Sequence, residues 1–259
     1  MDLGIAGRRA LVMGASRGLG YACAEALAGE RVRVTLVARD PGRVERAARS
    51  IGEKAGLEVT GVAADFRTEA GRGAALMACP DPDILVTNAE GFQPGDFHDW
   101  TRDDWIAALD DMMLGPIALI RAVIDPMIAR RFGRIVNLVS RSVKSPQLEL
   151  GLSNGARSGL VGFVAGLARK TVRHNVTINN LLPGIFASDA QRRHVEGLVE
   201  MTGRPFEEIW AERARANPAG RYGDPAELGA ACAFLCSAQA GFVTGQSLLV
   251  DGGGFPGTF

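Results

Sequence analysis

Gly14-Ala15-Ser16-Arg17-Gly18-Leu19-Gly20 is the stretch that decides the fold. A short run, Arg8 to Met13, precedes it and ends apolar. An Ala- and Leu-rich helical pattern follows it, to about Gly29. Strand, glycine turn and helix in that order open a dinucleotide-binding unit. The glycines let the backbone turn tightly and approach a pyrophosphate, and the helix start offers free N–H groups to an anion. The same spacing also serves a strand-to-helix turn that only packs, so the rest of the chain must decide between the two.

Working outward, strands and helices alternate. Val32 to Val37 reads as a second strand, Pro41 to about Ala55 as a helix, and Leu57 to Val62 as a third strand. Asp83 to Val86 is a fourth. Thr101 and Asp104 resemble a capping box with Asp in place of Glu, and open a long helix running towards Arg130. Pro116 and Pro126 should disturb it. Ile135 to Val139 is a fifth strand. Leu152, Ala156, Leu160, Phe163 and Leu167 recur at helical spacing. Val176 to Leu182 is a sixth strand, stopped by Pro183-Gly184. Residues 185–217 are polar and helical, broken by Gly203 and Pro205, and are expected to form a substrate lid. Asp224 and Pro225 supply an N-cap and N1 proline. Ser247 to Val250 is the last strand. The expectation is one α/β domain over residues 1–259: a doubly wound parallel sheet, the Rossmann fold.

Composition narrows the class. The chain has 259 residues, 47% of them hydrophobic, enough for one sizeable core. Lysine plus arginine equals aspartate plus glutamate at 29 each, which gives no electrostatic case for nucleic acid or an anionic membrane. No apolar run is expected to reach the length of a membrane span, and Met1 to Arg9 holds no apolar signal region. Cys232 and Cys236 stand four apart but have no ligating neighbour, so they read as buried small side chains, and no metal site is expected. A cytoplasmic protein with reduced thiols fits.

Several residues follow from the dinucleotide reading. Gly14, Ser16, Arg17, Gly18, Leu19 and Gly20 would cradle the pyrophosphate. The adenosine ribose would lie at the end of the second strand, where Ala38 takes the first position and Arg39 the next. An acidic residue there favours a free 2′-hydroxyl, whereas arginine accommodates a 2′-phosphate. Arg17 and Arg39 on one side argue for NADP over NAD. Asp65 and Phe66 would meet the adenine.

Jointly the glycine loop, Asn88-Ala89, Gly133 to Asn137, Pro183-Gly184 and Val250 to Gly253 resemble the short-chain dehydrogenase/reductase family over essentially the whole chain. The 3-oxoacyl-[acyl-carrier-protein] reductase-like members are most similar. The resemblance implies cofactor contacts at Asn88, Ala89, Arg157, Pro183, Gly184, Ile185 and Ser188, and a homotetramer built on the long helices and the C-terminal strand. The Ala- and Gly-rich face of residues 156–168 permits close helix packing.

The family's catalytic set is Ser, Tyr, Lys and Asn. Ser140 matches the serine. Ser153 stands where the tyrosine should be, Arg157 where the lysine should be and Met112 where the asparagine should be. Ser153 and Arg157 resemble a Ser-x-x-x-Arg version found in some reductase-like members. Glu90 replaces a glycine after Asn88-Ala89, and Met13 a common threonine.

An alkanol is a far weaker acid than a phenol, whose pKa is about 10, and arginine does not shuttle protons near neutrality. Ser140 and Ser153 can still donate to a developing oxyanion, with Arg157 adding charge. Buried at its strand end, Glu90 would be a general base of raised pKa; otherwise it would face solvent or pair with Arg141 or Arg157. His194 would meet an anionic substrate or lie on a solvated helix face. Three readings follow: an NADP-dependent oxidoreductase on a carbonyl/alcohol pair with a non-standard proton route, a fold turned to non-redox lyase or isomerase chemistry, and a catalytically silent binding subunit.

Overall fold

The computed structural model describes residues 2–258. Seven strands, β1 (Arg9–Met13), β2 (Arg33–Ala38), β3 (Thr60–Ala63), β4 (Ile84–Asn88), β5 (Gly133–Leu138), β6 (Val176–Pro183) and β7 (Ser247–Val250), form one parallel sheet in the order β3-β2-β1-β4-β5-β6-β7. The helices are α1 (Gly18–Gly29), α2 (Pro41–Ala55), α3 (Glu69–Ala78), α4 (Arg102–Leu109), α5 (Gly115–Arg130), α6 (Gly151–Thr171), α7 (Asp189–Thr202), α8 (Phe206–Ala216) and α9 (Pro225–Cys236).

Both faces of the central sheet are covered, and β1, β4, β5 and β6 are buried along almost their whole length. Ala10 and Val12 of β1 face one side, with α1, α2 and α9. Leu11 and Met13 face the other, with α3, α5 and α6. Cys232 and Cys236 are free thiols buried in α9. The run Arg102–Arg130 is long and apolar enough to cross a membrane by length and composition, contrary to the sequence expectation. Here Leu119, Ile120, Val123 and Met127 of that run bury against the sheet.

Buried polar side chains tie the central strands at one level. Thr87 donates to Asn137 Oδ1 at 2.7 Å, Asn137 Nδ2 to Asn180 Oδ1 at 3.0 Å, and Asn180 Nδ2 to Ser247 Oγ at 3.2 Å. These are the register partners across β4, β5, β6 and β7. Each polar group finds a partner, so the ladder fixes the strand ends without a desolvation penalty.

Three local readings change. The third strand starts at Thr60, not Leu57, because the Leu57 N–H still bonds back to Gly52 in closing α2. Helix α3 has an N-cap, Thr68 accepting from Gly71 N–H, that the sequence reading passed over. The long helix is interrupted at Asp110–Leu114, ahead of Pro116, by one π turn in which Gly115 N–H bonds to Asp110 O. Pro116 has no N–H to offer the Met112 carbonyl, so the α pattern cannot run unbroken through this turn. Both expected caps are present: Thr101 with Asp104 and Asp224 with Glu227 form reciprocal boxes.

Candidate active site

The sheet order reverses between β1 and β4, and a crevice opens at the carboxyl ends of these strands. The glycine loop forms one wall. Gly20 lies against it so closely that a Cβ there would sit 2.4 Å from the Gly14 carbonyl oxygen and 2.7 Å from Asn88 Nδ2. Asn88 Nδ2 donates to Gly14 O at 3.0 Å, locking the loop to the end of β4. Gly18 has φ +62°, and a Cβ there would meet nothing. Arg17 is the N-cap of α1, yet no side chain caps this helix. Its free N–H groups are therefore available to an anion entering the crevice, as a pyrophosphate site requires.

The crevice is lined by Gly14, Ser16, Arg17, Gly18 and Leu19, by Arg39 beyond β2, by Asp65 and Phe66 beyond β3, and by Asn88, Ala89 and Glu90 beyond β4. The fold thus brings the residues singled out in the glycine loop and at the ends of the second, third and fourth strands to one crevice. Asp65 is gripped by Arg67, with Nη2 to Oδ2 at 2.6 Å, and this guanidinium holds its carboxyl below the usual range.

Alongside lies a second hollow that brings together Ser140, Ser153, Arg157, Gly184, Ile185 and Ser188. Ser140 caps a 3-10 turn, Arg141–Val143, at the end of β5. Its Oγ accepts from Ser142 N–H at 3.1 Å, and Ser142 Oγ is 2.9 Å away. Ser153 is buried on the first turns of α6, and its Oγ accepts from Arg157 Nε at 3.0 Å. Each hydroxyl accepts from a protein donor and keeps its own hydrogen for a substrate oxygen.

Arg157, where the resemblance implies a cofactor contact, is engaged within the protein. It is 7% exposed. Nη1 donates to Val139 O at 2.6 Å and Leu138 O at 3.1 Å, and Nη2 to Ala89 O at 3.1 Å. With the Ser153 bond, four of its five N–H groups are committed within the protein. It fastens α6 to the ends of β4 and β5. Burial pushes its pKa down to about 10, with Asp111 opposing the shift, so the guanidinium stays charged at neutral pH.

Two further expectations are corrected. Glu90 is not buried; its side chain is 39% exposed. It pairs with Arg17, Arg39 and Arg193 rather than with Arg141 or Arg157. The burial on which a general base was expected is absent. His194 lies neither on a solvated face nor as a cation. Burial pushes its pKa down to about 4, with Arg213 adding to the shift, and its Nε2 has no partner among the described residues.

The sequence reading missed Asp111. It lines the crevice beside the π turn, and burial raises its pKa to about 6 against the pull of Arg67, Arg157 and Arg39. The signal was present as Asp110-Asp111 in an apolar run, but only a widened turn shows which carboxylate faces inward. Met112 fills the next position with carbon, packed among Ala89, Ala108, Leu152 and Ala156.

Residues 185–217 fold into two helices that are held differently. Helix α7 is tied by charge, Arg193 to Glu90 and Arg17 Nη1 to Asp189 Oδ2 at 3.3 Å. Helix α8 is tied by an aromatic stack, with Trp210 4.0 Å from Tyr222 and 5.6 Å from Phe206 between ring centroids. Gly203 in the left-handed region joins them.

Residues 14–254 match a family described as enoyl-(acyl carrier protein) reductase. The chain belongs to the short-chain dehydrogenase/reductase family. The 3-oxoacyl-[acyl-carrier-protein] reductase FabG of Vibrio cholerae is 32% identical, over 97% of this chain and 98% of that protein. The NADPH-dependent reductase BacG of Bacillus subtilis is 28% identical, over 95% of this chain and 97% of that protein. The L-sorbose reductase of Gluconobacter frateurii, complexed with NADPH and L-sorbose, superposes with a TM-score of 0.92 at 30% identity, covering 100% of both chains.

Proposed function

We propose that the chain is an NADPH-dependent oxidoreductase acting on a carbonyl/alcohol pair of a small organic substrate, by a proton route that uses no tyrosine. The observation that carries this reading is the hydroxyl pair. Ser140 and Ser153 line one hollow beside the glycine-loop crevice, each accepting from a neighbour and each with a hydrogen to give.

The uncapped start of α1, the glycine loop and the cations Arg17 and Arg39 fit a dinucleotide carrying a 2′-phosphate. Gly14, Ser16, Gly18, Leu19 and Gly20 would hold the pyrophosphate, Asp65 and Phe66 the adenine, and Asn88, Ala89, Pro183, Gly184, Ile185 and Ser188 the nicotinamide end. When bound, the cofactor supplies a hydride. Ser140 and Ser153 then hydrogen-bond the substrate oxygen, and the negative charge it gains is stabilised by both hydroxyls. The charged Arg157 polarises Ser153 from behind. A preorganised donor of this kind is worth about 3 kcal/mol. Ser153 is held in place and polarised and is no proton source at neutral pH, so the strongly basic alkoxide left by hydride addition takes its proton from bulk solvent through the open second hollow, with the solvent buffer supplying the net H⁺.

Oxidation of NADPH followed at 340 nm with L-sorbose and a 3-oxoacyl thioester tests the reading. Carbonyl-dependent oxidation lost in Ser140→Ala supports it. Turnover with no cofactor requirement would favour the non-redox alternative, and no turnover on any carbonyl the silent subunit. We further propose a homotetramer in the cytoplasm. Exposed Trp105, Leu114 and Phe163 around α4–α6, and Phe234 and Leu248 on α9 and β7, support the assembly. The four free buried thiols suit a reducing compartment.

A further inference from the structure

Side chains from four separate segments meet around one carboxylate at the mouth of the cofactor crevice. Glu90 Oε2 accepts from Arg39 Nη2 at 2.7 Å, and its Oε1 from Arg17 Nη2 at 3.3 Å. The same Oε1 accepts from Nη2 of Arg193 on α7. Arg17 reaches α7 a second time, through Asp189. One anion thus bridges the glycine loop, the end of β2, the end of β4 and the lid. The two guanidiniums it holds on the sheet side are the pair the fold offers to an adenosine 2′-phosphate.

We propose that Glu90 is an internal anion standing in for that phosphate. It competes with the 2′-phosphate of NADPH for Arg17 and Arg39, and in the cofactor-free protein it holds α7 down through Arg193. The inference rests on the NADPH reading of the crevice. A dianionic phosphate seated on these two guanidiniums meets the negative charge of the carboxylate already on them, so NADPH binding must weaken or displace the Glu90 pairs with Arg17 and Arg39. NADH, with a plain 2′-hydroxyl, makes no such demand. Glu90 is therefore a specificity-determining residue that narrows the preference for NADPH. All the groups are partly exposed, with side chains 29–55% accessible, so the effect is largest at low salt.

Glu90→Gln keeps the size and removes the charge. Its dissociation constants for NADPH and NADH are read by titration calorimetry at low ionic strength. About tenfold tighter NADPH binding is expected, the equivalent of one charge-assisted hydrogen bond, with NADH changed by about twofold or less on the same scale. In an Arg39→Ala background the gain should shrink, because only the competition for Arg17 remains. Hydrogen exchange supplies a readout independent of binding: without cofactor, amides of residues 189–202 should exchange faster in Glu90→Gln than in wild type. Wild-type binding of NADPH with an unchanged affinity in Glu90→Gln overturns this inference alone. Equal gains for both cofactors overturn it as well. Failure of wild type to bind either cofactor overturns the NADPH reading and this inference together.

Discussion

Removing the Arg157 side chain tests its part as a fastener. In Arg157→Met, a chain of similar length loses its N–H groups. The carbonyls of Leu138, Val139 and Ala89 lose their bonds at 2.6–3.1 Å, and Ser153 Oγ loses its donor at 3.0 Å. A buried polar atom left without a partner costs about 1–3 kcal/mol. Three orphaned carbonyls would sum to more, but removing a buried guanidinium also removes its own desolvation penalty. The net expectation is a loss of about 3–5 kcal/mol, in line with breaking other buried charged networks. At about 2–4 °C per kcal/mol for a chain of this size, the melting temperature should fall by about 6–20 °C. Circular dichroism during heating, and urea unfolding at 25 °C, measure it without cofactor. Arg157→Lys should fall between wild type and the Met variant, because one ammonium cannot reach four acceptors spread over three segments. A Met variant within about 1 kcal/mol of wild type, below the cost of one orphaned group, would refute the fastening role.

Four other outcomes are expected. Ser140→Ala should lower kcat by about 10²-fold, and Ser153→Ala by about tenfold or more, both read as NADPH oxidation on a responsive carbonyl. Arg39→Ala should weaken NADPH by about tenfold in calorimetry and leave NADH nearly unchanged, since only the former presents a 2′-phosphate. Asp111 has a folded pKa raised to about 6, so the folded state binds the extra proton and loses stability as pH rises from about 4 to 6. Urea unfolding should find Asp111→Asn gaining on wild type across that window, by at most about 3 kcal/mol at pH 7, and a flat difference would refute the burial argument. His194 has the opposite sign: its pKa is pushed down to about 4, so stability is lost as pH falls from about 6.5 towards 4, and His194→Gln should lessen that acid loss.

Much of the fold lies in local chemistry that one sequence carries openly. The glycine loop, the first strand before it and the Asp224-Pro225 cap are each set by neighbours a few residues away, and all stand where the pattern puts them. That Ser140, Ser153 and Arg157 belong to one site was legible by counting along the chain, and one hollow gathers them. Their roles were not. Whether Arg157 forks onto a ligand or staples carbonyls depends on where Leu138, Val139 and Ala89 point, and these come from two strands. Glu90 illustrates the same limit. Its partners Arg17, Arg39 and Arg193 lie 73, 51 and 103 residues away, so only the folded crevice reveals the pairing. Asp111 lies in the widened turn Asp110–Leu114 and meets the crevice only in the folded chain.

The claim that this site moves a hydride without a tyrosine is tested most directly by isotope transfer. The purified chain is incubated with NADPH deuterated on the transferable position and with L-sorbose or a 3-oxoacyl thioester, and the product is analysed by mass spectrometry. The account predicts one deuterium on the new carbinol carbon, formed by wild type and abolished in the Ser140→Ala, Ser153→Ala double variant. Product that forms without deuterium, or at the same rate in the double variant, would contradict it.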